Sequence, residues 1–212
     1  MSSSRFIVPR PALPSLSPAS LTLTSLRGLR AAGVRAGIKE SGSPDVALLV
    51  SDLSMAVAGV FTQNLFAAAP VELSRANLAK TGGRARAVVV NSGNANACTG
   101  ALGVRHARAM CDEVARLLGC PPEEVLVCST GVIGKQLPID RVLEGIGRAH
   151  GELSRDVEAG RAFLSAIQTT DAFPKEAGAT FERGAERFGV AGVCKGAGMI
   201  EPNMATMLAF VA

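Results

Sequence analysis

The chain contains no tryptophan and no tyrosine, and phenylalanine supplies its 4% of aromatic residues. Without Trp or Tyr rings, and with scattered basic residues and a net charge of only +4, it gives little support to a basic, ring-lined surface for nucleic acid. Histidine is nearly absent: His106 and His150 are the only two, and neither stands at a metal-ligand spacing from a cysteine. The five cysteines, Cys98, Cys111, Cys120, Cys128 and Cys194, are odd in number and form no CxxC. They read as free, mostly buried thiols of a reducing compartment, and no metal is expected. No apolar run reaches the ~20 residues of a membrane helix. No acidic residue occurs before Glu40. Residues 1–26 are instead rich in Ser and Pro, which reads as a disordered or targeting-like extension. Prolines at 9, 11, 14 and 18 interrupt any secretory apolar core.

What is present is small and apolar. The chain is 48% hydrophobic, with 23 glycines in 212 residues, so its core must be built from Ala, Val, Leu and Ile with many turns. VALLVSD (46–52) and MAVAGVF (55–61) read as two buried strands. Ser74 is placed to cap a short helix over 75–80. RARAVVVNS (84–92) is a strand that runs into GNANACTG, a stretch of turn-forming residues. Apolar residues at helical spacing over 101–118, stopped by Gly119, predict an amphipathic helix. VLVCS (125–129) is a further buried strand, and helices follow at 139–149 and 156–168. A hairpin over 179–193 turns at Gly184. Helices and strands alternate, but hairpins forbid an all-parallel sheet. The expected fold is a mixed α/β layered sandwich, with a globular unit over 27–205.

Three loops of Asn, Ser, Thr and Gly follow apolar strands: NSGNANACTG (91–100), STGVIG (129–134) and KGAGMIEPNMAT (195–206). Such loops place N–H groups and hydroxyls where a ligand can meet them. There is no G-x-S-x-G elbow, and the histidines are too few to supply a base. A threonine that becomes N-terminal needs neither, because its own α-amine serves as base, with an ordinary pKa near ~8. Ala205-Thr206 fits that chemistry. The Thr206 hydroxyl can attack the carbonyl before it, Ala205 leaves room, and the glycines at 196 and 198 permit a tight path. The dipeptide alone is commonplace, and MATMLAFVA also reads as a plain apolar strand.

GLRAAGVRAGIK (28–39), VVNSGNANACTG (89–100), STGVIG (129–134), TTD (169–171) and KGAGMIEPNMATML (195–208) together resemble the ornithine acetyltransferase family, the bifunctional glutamate N-acetyltransferases of arginine biosynthesis. The resemblance implies an N-terminal-nucleophile-like fold. It also implies a precursor that cuts itself between Ala205 and Thr206, leaving 206–212 as the start of a second chain. Thr206 would carry acetyl from N2-acetylornithine to glutamate, and Thr130 and Gly131 would form the oxyanion hole. Thr170 (with Thr169 a close alternative), Lys195 and Thr206 would bind substrate. No cofactor is implied, although some members take acetyl-CoA as donor. The implied assembly pairs two such chains with two second chains, with no nucleic acid or membrane partner. Only seven residues of that second chain are present here, so the 212-residue chain is expected to be inactive alone, as a fragment or a truncated product. Composition favours the cytoplasm, with the mitochondrial matrix as the alternative. Two other readings fit the residues: an aminopeptidase or amidase with an N-terminal nucleophile, and a non-catalytic α/β binding domain.

Overall fold

The computed structural model describes residues 16–196 and 207–212. Its centre is a four-stranded sheet of β2 (Leu29–Val34), β3 (Val46–Ala56), β4 (Arg84–Asn94) and β5 (Val125–Val132) in that order. The pairings β2–β3 and β3–β4 are antiparallel, and β4–β5 is parallel. Strand alternation explains the apolar runs. Val46, Leu48 and Val50 face one way with Val89 and Val127, and meet Met110 and Val114 of α2 (Gly100–Leu118) and Val142 and Ile146 of α3 (Ile139–Gly151). Ala47, Leu49 and Val90 face the other way, onto Phe163, Leu164 and Ile167 of α4 (Val157–Ile167). A sheet covered on both faces needs apolar residues at consecutive positions. Each fully buried Val or Leu contributes roughly 1.5–3 kcal/mol.

A second sheet lies on the α4 side. It runs β1 (Ser17–Pro18), β6 (Lys175–Arg183), β7 (Glu186–Lys195) and β8 (Leu208–Val211), all antiparallel. Val193 of β7 joins the α4 cluster, with Leu208 and Phe210 packed against it. The Phe163 and Phe210 rings meet edge to face at 5.3 Å. In the β7–β8 ladder Lys195 stands opposite Leu208 and Gly192 opposite Val211. Among the described residues the architecture is thus mixed, with two sheets and four α-helices, as the alternation and hairpins required. Gly119 ends α2 in the left-handed region at φ 62°, and Gly184 turns the β6–β7 hairpin at φ 65°, conformations that favour glycine.

Three expectations are corrected. VALLVSD and MAVAGVF are not two strands: β3 runs through Ala56 with an irregular register between Val50 and Met55. The chain then leaves the sheet, and Val60 is exposed. Ser74 is no cap, because α1 spans Ala69–Lys80 around it. Its hydroxyl donates to the Val127 carbonyl at 2.8 Å and accepts from the Val127 N–H at 2.9 Å. Asn77 adds a bond to the Val125 carbonyl at 2.9 Å. α1 therefore satisfies the open edge of β5, a job that in sequence looks like capping. Finally, the ordered unit begins before residue 27. Ser17–Pro18 pairs with Thr180–Ala179, and Leu23 is fully buried, because it fills a gap beside α4. The first fifteen residues lie outside the described ones.

Among the described residues, the five cysteines are free, with Cys111 buried and Cys98 exposed. Among the described residues, no helix is long and apolar enough to cross a membrane.

Candidate active site

The site forms where β4 and β5 run parallel and end together. Ser92 stands beside Thr130 and Gly93 beside Gly131. The two glycines permit an approach no side chain would survive: a Cβ on Gly131, at φ 134°, would lie 2.3 Å from the Gly93 carbonyl carbon.

The polar side chains of NSGNANACTG turn mostly inward. Asn91 donates to the Asn94 carbonyl at 2.8 Å and accepts from the Ser129 hydroxyl at 2.5 Å. Ser92 donates to the Ala166 carbonyl at 2.5 Å. Asn94 donates to the Lys135 carbonyl at 3.1 Å and accepts from the Asn96 N–H at 2.8 Å. Asn96 donates to the Gly103 carbonyl, and its amide oxygen accepts from the Thr99 hydroxyl, both at 2.8 Å. This loop is a polar brace that joins β4 to the STGVIG segment. It satisfies buried backbone groups that would otherwise cost free energy.

Lys195 is the central cation. It ends β7 and is 4% exposed, yet among the described residues it has no carboxylate within salt-bridge distance. Its Nζ donates instead to Thr130 Oγ1 and Thr169 Oγ1, each at 2.8 Å. Burial pushes the ammonium below its ordinary pKa; Asp171 opposes that shift and Lys175 adds to it. An ammonium has three donors, and two are used among the described residues. Because Lys195 occupies a lone pair of Thr130, the Thr130 hydroxyl hydrogen must point elsewhere, where it can donate. A group held this way can bind a carboxylate, and its Thr130 partner can assist a developing oxyanion.

Asp171, which the sequence reading left out, holds this arrangement. Its side chain is fully shielded. One oxygen accepts from Lys175 Nζ at 2.7 Å and from the Gly196 N–H at 2.8 Å; the other accepts from the Thr169 N–H at 3.2 Å. Burial alone would raise its pKa. The bonds from Lys175, Gly196 and Thr169 outweigh that and hold it at about 2.

A second missed pair lies across the cleft. Asp45 is fully buried and accepts the N–H groups of Ala36 at 2.5 Å, Ile38 at 2.6 Å and Lys39 at 3.0 Å. This fixes the turn between β2 and β3 and so places Lys39. Burial pushes the Lys39 ammonium down to about 8 despite the pull of Asp45.

These elements enclose a cleft of about 1290 Å³, lined by Lys39, Thr130, Gly131, Thr169, Thr170 and Lys195 among others. Five residues singled out in the sequence thus meet at one place, from β5, the segment after α4, and the end of β7. Ala205 and Thr206 lie outside the described residues. Neither histidine lines the cleft. Among the described residues, no group of three or more His, Cys, Asp or Glu side chains is placed to hold a metal.

The sequence profile of the ArgJ family matches residues 30–212. The "arginine biosynthesis bifunctional protein ArgJ" of Rhodopirellula baltica is 50% identical over 185 residues, covering 87% of this chain and 45% of that protein. The protein of the same name from Symbiobacterium thermophilum is 50% identical over 191 residues, covering 89% and 46%. The chain therefore spans about half the length of the curated relatives it matches. Among solved structures, the ArgJ protein of Bacillus halodurans superposes with a TM-score of 0.86 at 35% identity, covering 92% of this chain and 100% of that one. The ornithine acetyltransferase of Mycobacterium tuberculosis, solved with ornithine, gives 0.83 at 40% identity, covering 89% and 98%. A profile that runs from β2 to the last residue, with the fold and the cleft motifs in order, settles the family: this chain belongs to the ArgJ family.

Proposed function

We propose that this chain is the nucleophile-bearing half of a self-cleaving acetyltransferase that moves acetyl from N2-acetylornithine to glutamate. The observation that carries the reading is Lys195, a buried ammonium without a carboxylate among the described residues, held between the Thr130 and Thr169 hydroxyls in a cleft beside Gly131. The relatives' names support it: arginine biosynthesis for the matched sequences and an ornithine complex for a matched structure.

In this reading the Thr206 hydroxyl attacks the Ala205 carbonyl, the Ala205 C–N bond breaks to free the Thr206 amine, and water hydrolyses the resulting ester to an Ala205 carboxylate and the Thr206 hydroxyl. The freed amine then takes the hydroxyl proton as Oγ attacks the acetyl carbonyl of the donor. Thr130 Oγ1–H and the Gly131 N–H stabilise the oxyanion, each such donor being worth roughly 3–4 kcal/mol of barrier. The C–N bond breaks, the proton passes to the departing ornithine amine, and acetyl remains on Thr206. The neutral α-amine of glutamate attacks that ester, and Thr206 is regenerated. Lys195 binds the α-carboxylate common to both amino acids, with Thr169 and Thr170 beside it. The reaction needs no prosthetic group, and acetyl-CoA is a second candidate donor. The remaining pocket groups come from a second chain, in an assembly of two copies of each, in the cytoplasm.

The test is denaturing mass spectrometry of the protein carrying the sequence that the longer relatives have beyond this point, followed by acetyl-transfer assays. The expected result is scission before Thr206 and transfer to glutamate, both abolished in Thr206→Ala. Scission or transfer that survives in Thr206→Ala would overturn the mechanism.

A further inference from the structure

Lys195 is one of two sequestered ammonium groups in the cleft. Lys39 reaches the same space from the β2–β3 turn. Its side-chain stem runs over Gly93: a Cβ on Gly93 would lie 3.1 Å from Lys39 Cγ. Gly93 is in turn the ladder partner of Gly131. Lys39 and Lys195 therefore both reach the Thr130–Gly131 region, one by way of Gly93 and one through the Thr130 hydroxyl.

The position of Lys39 is built, not incidental. Three backbone N–H bonds to buried Asp45, including its own at 3.0 Å, fix the turn. Its Nζ donates to the Pro44 carbonyl at 2.7 Å, which leaves two donors unused among the described residues. Like Lys195, it has no carboxylate within salt-bridge distance among the described residues. Asp45 and Asp171 spend their oxygens on N–H groups and Lys175. Two partly desolvated cations that line one cleft, with no counter-ion among the described residues, are a site for an anion with two negative ends.

We propose that Lys39 binds the side-chain carboxylate of the acceptor amino acid and so sets the preference for glutamate over uncharged acceptors. This rests on the acetyl-transfer reading above, in which Lys195 takes the α-carboxylate. The donor carries a side-chain ammonium where the acceptor carries a carboxylate, so a site that meets both must accept either sign. A lysine that can lose its proton meets that demand: charged, it binds the carboxylate; neutral, it accepts a bond from the ammonium. The charged groups that act on Lys39 are Asp45, Lys195 and Asp171, and Glu40, Lys135 and Arg141 line the same cleft. Asp45 and Asp171 favour the charged form, while burial and Lys195 oppose it and leave it titrating at about 8.

The experiment measures kcat/KM for glutamate and for glutamine as acceptors in the complete two-chain enzyme, with Lys39→Met and Lys39→Arg. The glutamate-to-glutamine ratio is expected to fall about ten- to a hundred-fold in Lys39→Met, the usual worth of a hydrogen bond to a charged group, and to persist in Lys39→Arg. In the unsubstituted enzyme, glutamate kcat/KM should decline above about pH 8 as Lys39 loses its charge. That decline should be absent in Lys39→Arg. An unchanged ratio in Lys39→Met, or an equal loss with both acceptors, overturns the proposal. If Lys39→Met does not fold, Lys39→Gln is read by the same ratio. Failure of the unsubstituted enzyme to transfer acetyl at all would instead refute the underlying function.

Discussion

Replacing Asp171 with asparagine removes one charge and almost no volume from a fully shielded position. The wild-type carboxylate accepts Lys175 Nζ, the Gly196 N–H and the Thr169 N–H. Asparagine keeps one acceptor oxygen and turns an NH2 group toward donors it cannot accept. The drop from an ordinary 3.8 to about 2 corresponds to about 2 kcal/mol of stability at neutral pH. Because the folded-state value is depressed, that stability is fully present above 3.8 and is lost as pH falls toward 2. About half, ~1 kcal/mol, is gone at pH 3. Urea denaturation of wild type and Asp171→Asn at pH 7 and pH 3 tests this directly. The stability gap should be about 2 kcal/mol at pH 7, a Tm difference of roughly 4–8 °C for a chain of this size, and should narrow by ~1 kcal/mol at pH 3. A gap that is equal at both pH values would show that the carboxylate's charge is not what holds the 169–196 junction.

Lys195→Met should leave stability unchanged or raise it by about 1 kcal/mol, since a buried ammonium without a carboxylate gives way to an apolar chain of similar length. The same variant should lose about a hundred-fold or more in kcat/KM for acetyl transfer. A stability loss above about 2 kcal/mol, read by urea denaturation, would make Lys195 a structural residue instead. Gly131→Ala should cost roughly 2–4 kcal/mol, because its Cβ collides with the Gly93 backbone at a strained φ. An unshifted urea midpoint would refute the close β4–β5 approach.

Much of this was legible in the sequence, and the limits have physical causes. Periodicity found β4, β5 and three of the four helices, because two-sided burial writes itself as unbroken apolar runs. It split β3 in two, because a local register change in one strand resembles a gap between strands. It misread Ser74, because a hydroxyl that serves a neighbouring strand has the same local signature as one that caps its own helix. Thr130, Gly131, Thr169, Thr170 and Lys195, which the family resemblance singles out, line one cleft. Asp171, Asp45 and Lys39 were passed over as site residues. Their importance lies in what they are bonded to, and a lone Asp after two threonines advertises nothing. The NSGNANACTG loop does both jobs: Gly93 and Asn94 line the cleft, while most of its amides serve buried backbone groups.

The pairing of Lys195 with Leu208 has a consequence for processing. The two paired strands lie on either side of any cut between residues 196 and 207, so such a cut breaks none of the ladder's own pairs. In a protein that continues past residue 212, covalent division and physical dissociation are therefore separate events, and two polypeptides would go on sharing one sheet as if never cut.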